Sequence, residues 1–368
     1  MFVRITEVTD ALRRADAGRG IAGNPLPSPA SLRSAFLNLI NERIYMSTLT
    51  PATLTPEMEG CYYSPKMQWW CAHADLITDE GQEVSLYFWP ALGSLDEAWI
   101  CSLHTADEVI DLTQLHLPVG TFKTARKGVS VRFGEQFIVG TYPNFEIHVE
   151  GEHKGEKVSL TVRMKALTPP FEAVQKLRGI TWHYIPRFEV EGSFVRGAKT
   201  SGVSGSGYLE RRRGRFWSPG INRGLWESIP AAGAAPFSIP LFYKVWRDDE
   251  SAQLQTLTFT VDGKTMVDFE KVEVEILETI KIPGFEEIDH PVRYRLTAEG
   301  DGGHASLEVV RQHHRLALRN YFDDPDPRAK WAGFYGAGHT TGTITYQGKE
   351  HVVDGRSYGS ALFFFQNS

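Results

Sequence analysis

Three segments gather side chains able to do chemistry. The first is Lys66-Met67-Gln68-Trp69-Trp70-Cys71-Ala72-His73-Ala74-Asp75-Leu76. On a strand, side chains alternate between faces, so Trp69, Cys71, His73 and Asp75 share one face and Trp70, Ala72, Ala74 and Leu76 the other. His73 is an acid or base near neutral pH, and Asp75 is placed to hold its tautomer. A core Trp pair with a hydrogen-bonded His73 uses the same residues structurally, and His-x-Asp is a short signal. The second segment is Trp182-His183-Tyr184-Ile185-Pro186-Arg187-Phe188-Glu189. Alternation puts Trp182, Tyr184, Pro186 and Phe188 on an aromatic face, with Pro186 marking a break or an edge. A buried Arg187 calls for a carboxylate partner, because an unpaired buried charge is costly. The third is Tyr208-Leu209-Glu210-Arg211-Arg212-Arg213-Gly214-Arg215-Phe216-Trp217. A run of Arg is ordinarily a solvated face, although here it could also receive an acidic head group. Beside those charges Glu210 stays ionised; pointed into an apolar cavity it would become a proton donor.

The elements that position these segments read as strands. Val158, Leu160, Val162 and Met164 alternate with Ser159, Thr161 and Arg163, and the same period of two runs through Leu257 to Val261, Val272 to Ile276 and Val292 to Leu296. Asp262-Gly263, Glu299 to Gly303 and Gln347-Gly348 supply turns between them. Short helices are expected only at the N-terminus, over 4–16 and from Ser28-Pro29 through Leu32, Phe36, Leu39 and Ile40. The expected architecture is all-β and antiparallel, two units built as closed barrels or sandwiches behind short N-terminal helices. The Pro- and Gly-rich stretch 217–240 marks the boundary, giving a helical segment 1–45, a first β domain 46–225 and a second 226–368. A weak internal echo, Gly205-Ser206-Gly207-Tyr208 and Gly355-Arg356-Ser357-Tyr358, reads either as two ordinary turn-to-strand entries or as a duplicated barrel.

Composition narrows the function. The 368 residues carry 39 Lys and Arg against 45 Asp and Glu, a formal net charge of -6, which argues against a nucleic-acid binder. No stretch has the ~20 apolar residues of a membrane span. The first residues lack a signal-peptide pattern, so a soluble, reducing, cytoplasmic compartment is the expectation. Three Cys without a Cys-x-x-Cys pair indicate neither a disulfide framework nor a metal site. No Gly-rich phosphate loop follows a strand and there is no Gly-x-Ser-x-Gly elbow, so no nucleotide cofactor, no metal and no serine-hydrolase chemistry are expected. Nine Trp, thirteen Tyr and twenty-one Phe make 12% of the chain, more than a core strictly requires.

Trp69-Trp70, Trp182 with Pro186-Arg187, Gly205-x-Gly207-Tyr208 and Tyr335-Gly336-Ala337-Gly338 leading to Gly355-x-x-Tyr358 occur in an order that resembles the AttH-like and carotenoid 1,2-hydratase (hydroxyneurosporene synthase) superfamily. That group includes kievitone hydratase-like proteins and fungal decalin-forming Diels–Alderases. The resemblance implies two lipocalin-like barrels. It departs after Gly-x-Gly-Tyr: where the family continues His-Asp-His-x-Trp-Gly, this chain has Leu209, Glu210, Arg211, Arg212, Arg213 and Gly214. Glu210 keeps a carboxylate, but both His and the Trp are replaced, which points away from carotenoid hydration.

The resemblance implies a cofactor-independent cyclase, pericyclase or hydratase acting on a lipophilic polyene, terpenoid or polyketide in specialised metabolism. Its expected catalytic residues are Glu210, Asp75, His73 and Tyr208. Trp69, Trp70, Trp182, Tyr184, Arg187, Trp217 and Tyr358 are expected to bind the substrate. The alternative is a non-catalytic carrier of a hydrophobic ligand, because the same cavity and rings serve both. The expected partner is a hydrophobic small molecule, and oligomeric state is left open.

Overall fold

A computed structural model describes residues 48–368, apart from 50, 62–66, 94, 173–180, 215–220, 234–236, 248–249, 301, 313–314, 320–328 and 367–368. The two expected N-terminal helices and Trp217 lie outside the described residues. Apart from the one-turn helix Pro56–Glu59 the regular structure described is strand, and every strand pairing is antiparallel. The first sheet runs Val109–Asp111, Glu97–Thr105, Glu83–Leu92, Met67–Thr78, Lys199–Gly214, Thr181–Arg196, Glu156–Ala166, Asn144–His153, Gln136–Thr141, Val129–Phe133 and Lys123–Thr124. The second runs Thr48–Leu49, Met266–Phe269, Ala252–Thr260, Ser238–Arg247, Ile221–Ile229, Lys349–Gln366, Ala329–Tyr346, Gly303–Arg311, His290–Gly300 and Lys271–Ile280. Each sheet curls into a lipocalin-like barrel.

The two sheets repeat one plan. Each begins with a four-strand meander whose first strand, Met67–Thr78 or Ile221–Ile229, turns back to pair with the last long strand of its own sheet, Lys199–Gly214 or Lys349–Gln366. Those last strands close the hairpins that turn at Gly197 and at Gln347-Gly348, where φ of 58°, 51° and 76° demands the left-handed region. Tyr208 and Tyr358 therefore occupy matching strands, and both are fully buried. The sequence echo is a structural repeat.

Strand alternation divides the apolar residues into three bodies. Trp70, Ala72, Leu76, Phe88, Trp99, Leu160 and Val162 fill the first barrel. Leu225, Phe242, Phe259, Tyr294, Leu296 and Ile344 fill the second. The outward faces of both sheets pack on each other through Trp69, Tyr87, Trp89, Trp182, Tyr184, Tyr208, Trp226, Tyr335 and Tyr358. That third body is where much of the aromatic load lies.

Three expectations are corrected here. Phe188 faces the interior of the first barrel with Ile185, not the Trp182–Tyr184 face. Pro186 has no N–H for the ladder, the register slips between Ile185 and Phe188, and one extra residue exchanges the faces beyond it. Residues 221–229 are a strand of the second sheet, not a loop, so the changeover between sheets comes before Ile221, and Thr48–Leu49 also pairs with the second sheet. Arg211 and Arg212 are buried, each 7% exposed, so this part of the Arg run is not a solvated face.

Candidate functional site

Glu210 lies at the centre of the surface between the barrels. The Lys199–Gly214 strand turns Tyr208, Glu210 and Arg212 to that surface, in register with His73, Cys71 and Trp69 on the neighbouring strand. Four side chains direct donors at the carboxylate. Tyr208 OH donates to Oε2 at 2.5 Å and Trp182 Nε1 to Oε2 at 3.0 Å. Trp69 Nε1 donates to Oε1 at 3.4 Å, and Arg212 Nε lies 2.9 Å from Oε1. An ionised carboxylate only accepts, so this is a cradle built for the charged form. Burial opposes the Arg212 charge, but Glu210, with Tyr243 and Tyr208, outweighs it, and the net direction of its pKa is upward. Its guanidinium carbon lies over Trp182, 3.3 Å from the ring centroid, with Tyr243 at 5.2 Å and Trp69 at 5.6 Å. Burial first, and then Glu210, raise the Tyr208 hydroxyl well above its ordinary value.

Beside this pair is a cleft lined by Trp69, Cys71, Tyr87, Trp89, Trp226 and Tyr335 together with Glu210, Arg212, Tyr243, Ser360 and Leu362. Its free volume is about 50 Å³, room for a few waters and far below the several hundred Å³ of a typical ligand pocket. A larger guest therefore needs lining side chains to move, and Tyr243 and Leu362 are only partly buried. Trp226 is 5% exposed, and among the described residues its indole N–H has no hydrogen-bond partner. Burial first, then Glu210, push the Cys71 thiol well above its usual range, so it is not a thiolate nucleophile.

His73 and Asp75 form a second polar group on the same surface. His73 Nε2 is 3.1 Å from Asp75 Oδ2, and Ser85 Oγ donates to Asp75 Oδ1 at 2.7 Å. Arg356, from the second sheet, donates to Ser85 Oγ at 2.8 Å and to the Leu76 carbonyl at 2.9 Å, and sits 3.8 Å from Asp75. Tyr358 stacks on Tyr87 with centroids 4.7 Å apart and meets His104 Nε2 at 3.0 Å. Burial raises the Asp75 pKa, but the His73 charge and hydrogen bond, then Arg356 and Ser85, outweigh it and hold the carboxyl at about 2. Asp75 is thus ionised at neutral pH. It ties the barrels together and orients His73; it is no proton donor there.

The structure brings Trp69, Trp182, Tyr208 and Glu210 together, with Tyr184 packed beside Trp182 and Tyr208. It separates two other expected binding residues from the cleft. Trp70 faces the first barrel, where its N–H donates to the Glu59 carbonyl at 3.2 Å and Arg211 lies over its ring. Arg187 donates from Nη1 to the Phe237 carbonyl at 2.8 Å, and among the described residues no carboxylate pairs with it. A carbonyl dipole replaces the expected ion pair. Tyr87, Trp89, Trp226, Tyr243 and the inward role of Arg212 went unread in the sequence, and Tyr335 was read only as part of a motif. Matching the two halves by their Gly-x-x-Tyr echo was the one signal able to point at the strand that carries Trp226.

No family model matches the sequence, and no curated protein matches it. Solved structures do. An assigned AttH from Nitrosomonas europaea superposes with a TM-score of 0.63 at 16% identity, covering 84% of this chain and 96% of that one. The fold is that of the AttH-like two-barrel proteins. Kievitone hydratase from Nectria haematococca shares it with a TM-score of 0.61 at 11% identity, covering 86% and 98%. CghA, in a crystal structure with Sch210972, shares it with a TM-score of 0.57 at 13% identity, covering 88% and 99%. Among the described residues no helix is long and apolar enough to cross a membrane.

Proposed function

We propose that the cleft between the barrels binds an apolar small molecule rich in rings or double bonds and promotes its cofactor-independent cyclisation. The substrate class is a polyene, terpenoid or polyketide of specialised metabolism. The observation that carries this reading is the cleft's chemistry: six aromatic side chains around one buried Glu210–Arg212 pair, with the unpartnered Trp226 N–H among them. Two proteins of the same fold support the broader hydratase or cyclase kind of reaction, since one is named kievitone hydratase and the other, CghA, was solved with Sch210972.

The rings fold a flexible chain into a reactive shape, which removes much of the entropic barrier. Tyr208 and Trp182 direct their donors at Glu210, so they are not the groups that polarise a substrate carbonyl. Trp226 N–H is, with the Arg212 guanidinium adding positive field beside it. Glu210 acts as a positioning residue that locks Tyr208, Trp182 and Arg212. Hydration is the less suited member of the group. It needs a neutral acid, whereas Glu210 is surrounded by donors and Asp75 is ionised.

The test begins with organic extraction of the purified full chain and mass spectrometry of whatever co-purifies. The recovered compound and its plausible precursors are then incubated with fresh protein. Cyclisation yields a product of unchanged mass and altered retention, and hydration adds the mass of water. A ligand that is bound and always returned unaltered identifies a carrier and overturns the enzymatic reading.

A further inference from the structure

The interior of the second barrel carries a polar belt that the cleft does not use. Glu227, Tyr294 and Arg311 meet there: Tyr294 OH donates to Glu227 Oε1 at 2.9 Å, and Arg311 Nη2 lies 3.3 Å from the same oxygen and 3.0 Å from the Tyr294 hydroxyl. Gly359 makes room for this pair, since a Cβ there would collide with the Glu227 carboxylate and with Arg311 Nη2. Arg311 still has two unpartnered donors, Nε and Nη1. Its backbone opposes Gly338, which on its other side opposes Ser357. A Cβ on Gly338 would lie 3.2 Å from Ser357 Oγ and 3.3 Å from the Arg311 Cα, so both residues border the same bare position. Thr340 follows two residues along the same face. The Thr340 and Ser357 hydroxyls are fully buried, and among the described residues neither has a partner. His290, 1% exposed, packs on Phe334 with both ring nitrogens unpartnered.

Buried polar groups left without hydrogen bonds keep their desolvation penalty, so such a concentration on one inner wall calls for an occupant. The free donors, Arg311 Nε and Nη1 and the two hydroxyls, with the His290 ring beside them, fix its chemistry. A water accepts two hydrogen bonds, whereas a carboxylate accepts about four and gains from the guanidinium. We propose that the second barrel holds a carboxylate-binding site built from Arg311, Ser357, Thr340 and His290. The carboxylate belongs either to a small acid or to the head of an amphiphile.

The test titrates the full chain calorimetrically with sodium acetate, with acetamide as its neutral counterpart and with sodium decanoate. Saturable acetate binding, with acetamide weaker by about tenfold or more, supports the site. Tighter binding of decanoate assigns it to an amphiphile and equal binding to a small acid. The double variant T340V/S357A removes two hydroxyls that have no protein partner and leaves the ion pair intact. It should weaken acetate by about tenfold or more while keeping the thermal melt cooperative. Absence of saturable acetate binding to the unaltered chain, or equal binding by chain and variant, overturns the proposal. So does a crystal structure in acetate with only waters on Arg311 Nε, Nη1 and the two hydroxyls.

Discussion

Tyr208 donates its hydroxyl to Glu210 Oε2 at 2.5 Å, from two residues away on the same face of one strand. That bond turns a carboxylate with the address of a proton donor into the anchor of a donor cradle. Arg212, two residues further on, completes it from the same strand. Alternation alone thus places a Tyr-x-Glu-x-Arg series against the second barrel, and packing supplies the Trp182 and Trp69 donors.

Glu210→Gln is expected to abolish turnover and also to destabilise the protein. It leaves Arg212 buried without its counter-charge, a loss of about 3–5 kcal/mol. Urea unfolding measures it. The double variant E210Q/R212M should regain much of the stability and none of the activity. If E210Q keeps both stability and turnover, Glu210 positions nothing.

Trp226→Phe keeps a ring in the cleft and deletes one donor. Turnover should fall about 100-fold, the scale of one preorganised hydrogen bond, with stability changed by about 1–2 kcal/mol. The split between kcat and KM checks the role: loss in KM alone would mean that Trp226 only fills space.

The Asp75 carboxyl is held at about 2 in the fold against an ordinary 3.8. A depressed value gives stability that is present above about pH 4 and is lost as pH falls through about 2. The size is about 2 kcal/mol. Asp75→Asn should flatten the stability profile in that window. A variant with the same acid dependence as the parent would show that Asp75 is not the linked group.

Glu59 works in the opposite sense. It ends the short helix Pro56–Glu59, whose Met58 and Gly60 carbonyls accept from Arg211 inside the first barrel. Burial raises its carboxyl to about 6, against the Tyr142 backbone hydrogen bond and the Arg211 charge. Folding therefore favours the protonated form, and stability is lost as pH rises from about 4.5 to 6. Glu59→Gln should raise stability at pH 7 by about 1 kcal/mol after solvent screening and change little at pH 4. Thermal melts at the two pH values decide it.

Much of the barrel framework was legible because period two and turn chemistry act locally. Val158 to Met164 and Val292 to Leu296 read directly as half-buried strands. Phe188 misled because one proline moved the register, and a bulge is invisible to a strict alternation. The Arg run misled because burial of Arg211 and Arg212 depends on partners far along the chain, the Met58 and Gly60 carbonyls and the Trp182 ring. The cleft was half visible for the same reason. Trp69, Trp182, Glu210 and Tyr335 stand in or near motifs, while Tyr87, Trp226 and Tyr243 arrive from three other strands and meet them only when two barrels pack.

The central claim is that the interbarrel cleft transforms what it binds. The most direct measurement follows the compound recovered from the purified chain, and its precursors, by mass spectrometry during incubation with the parent protein and with Trp226→Phe. The account predicts an isomer of unchanged mass formed by the parent and strongly slowed in the variant. Recovery of every bound compound unaltered, or equal rates in parent and variant, would contradict it.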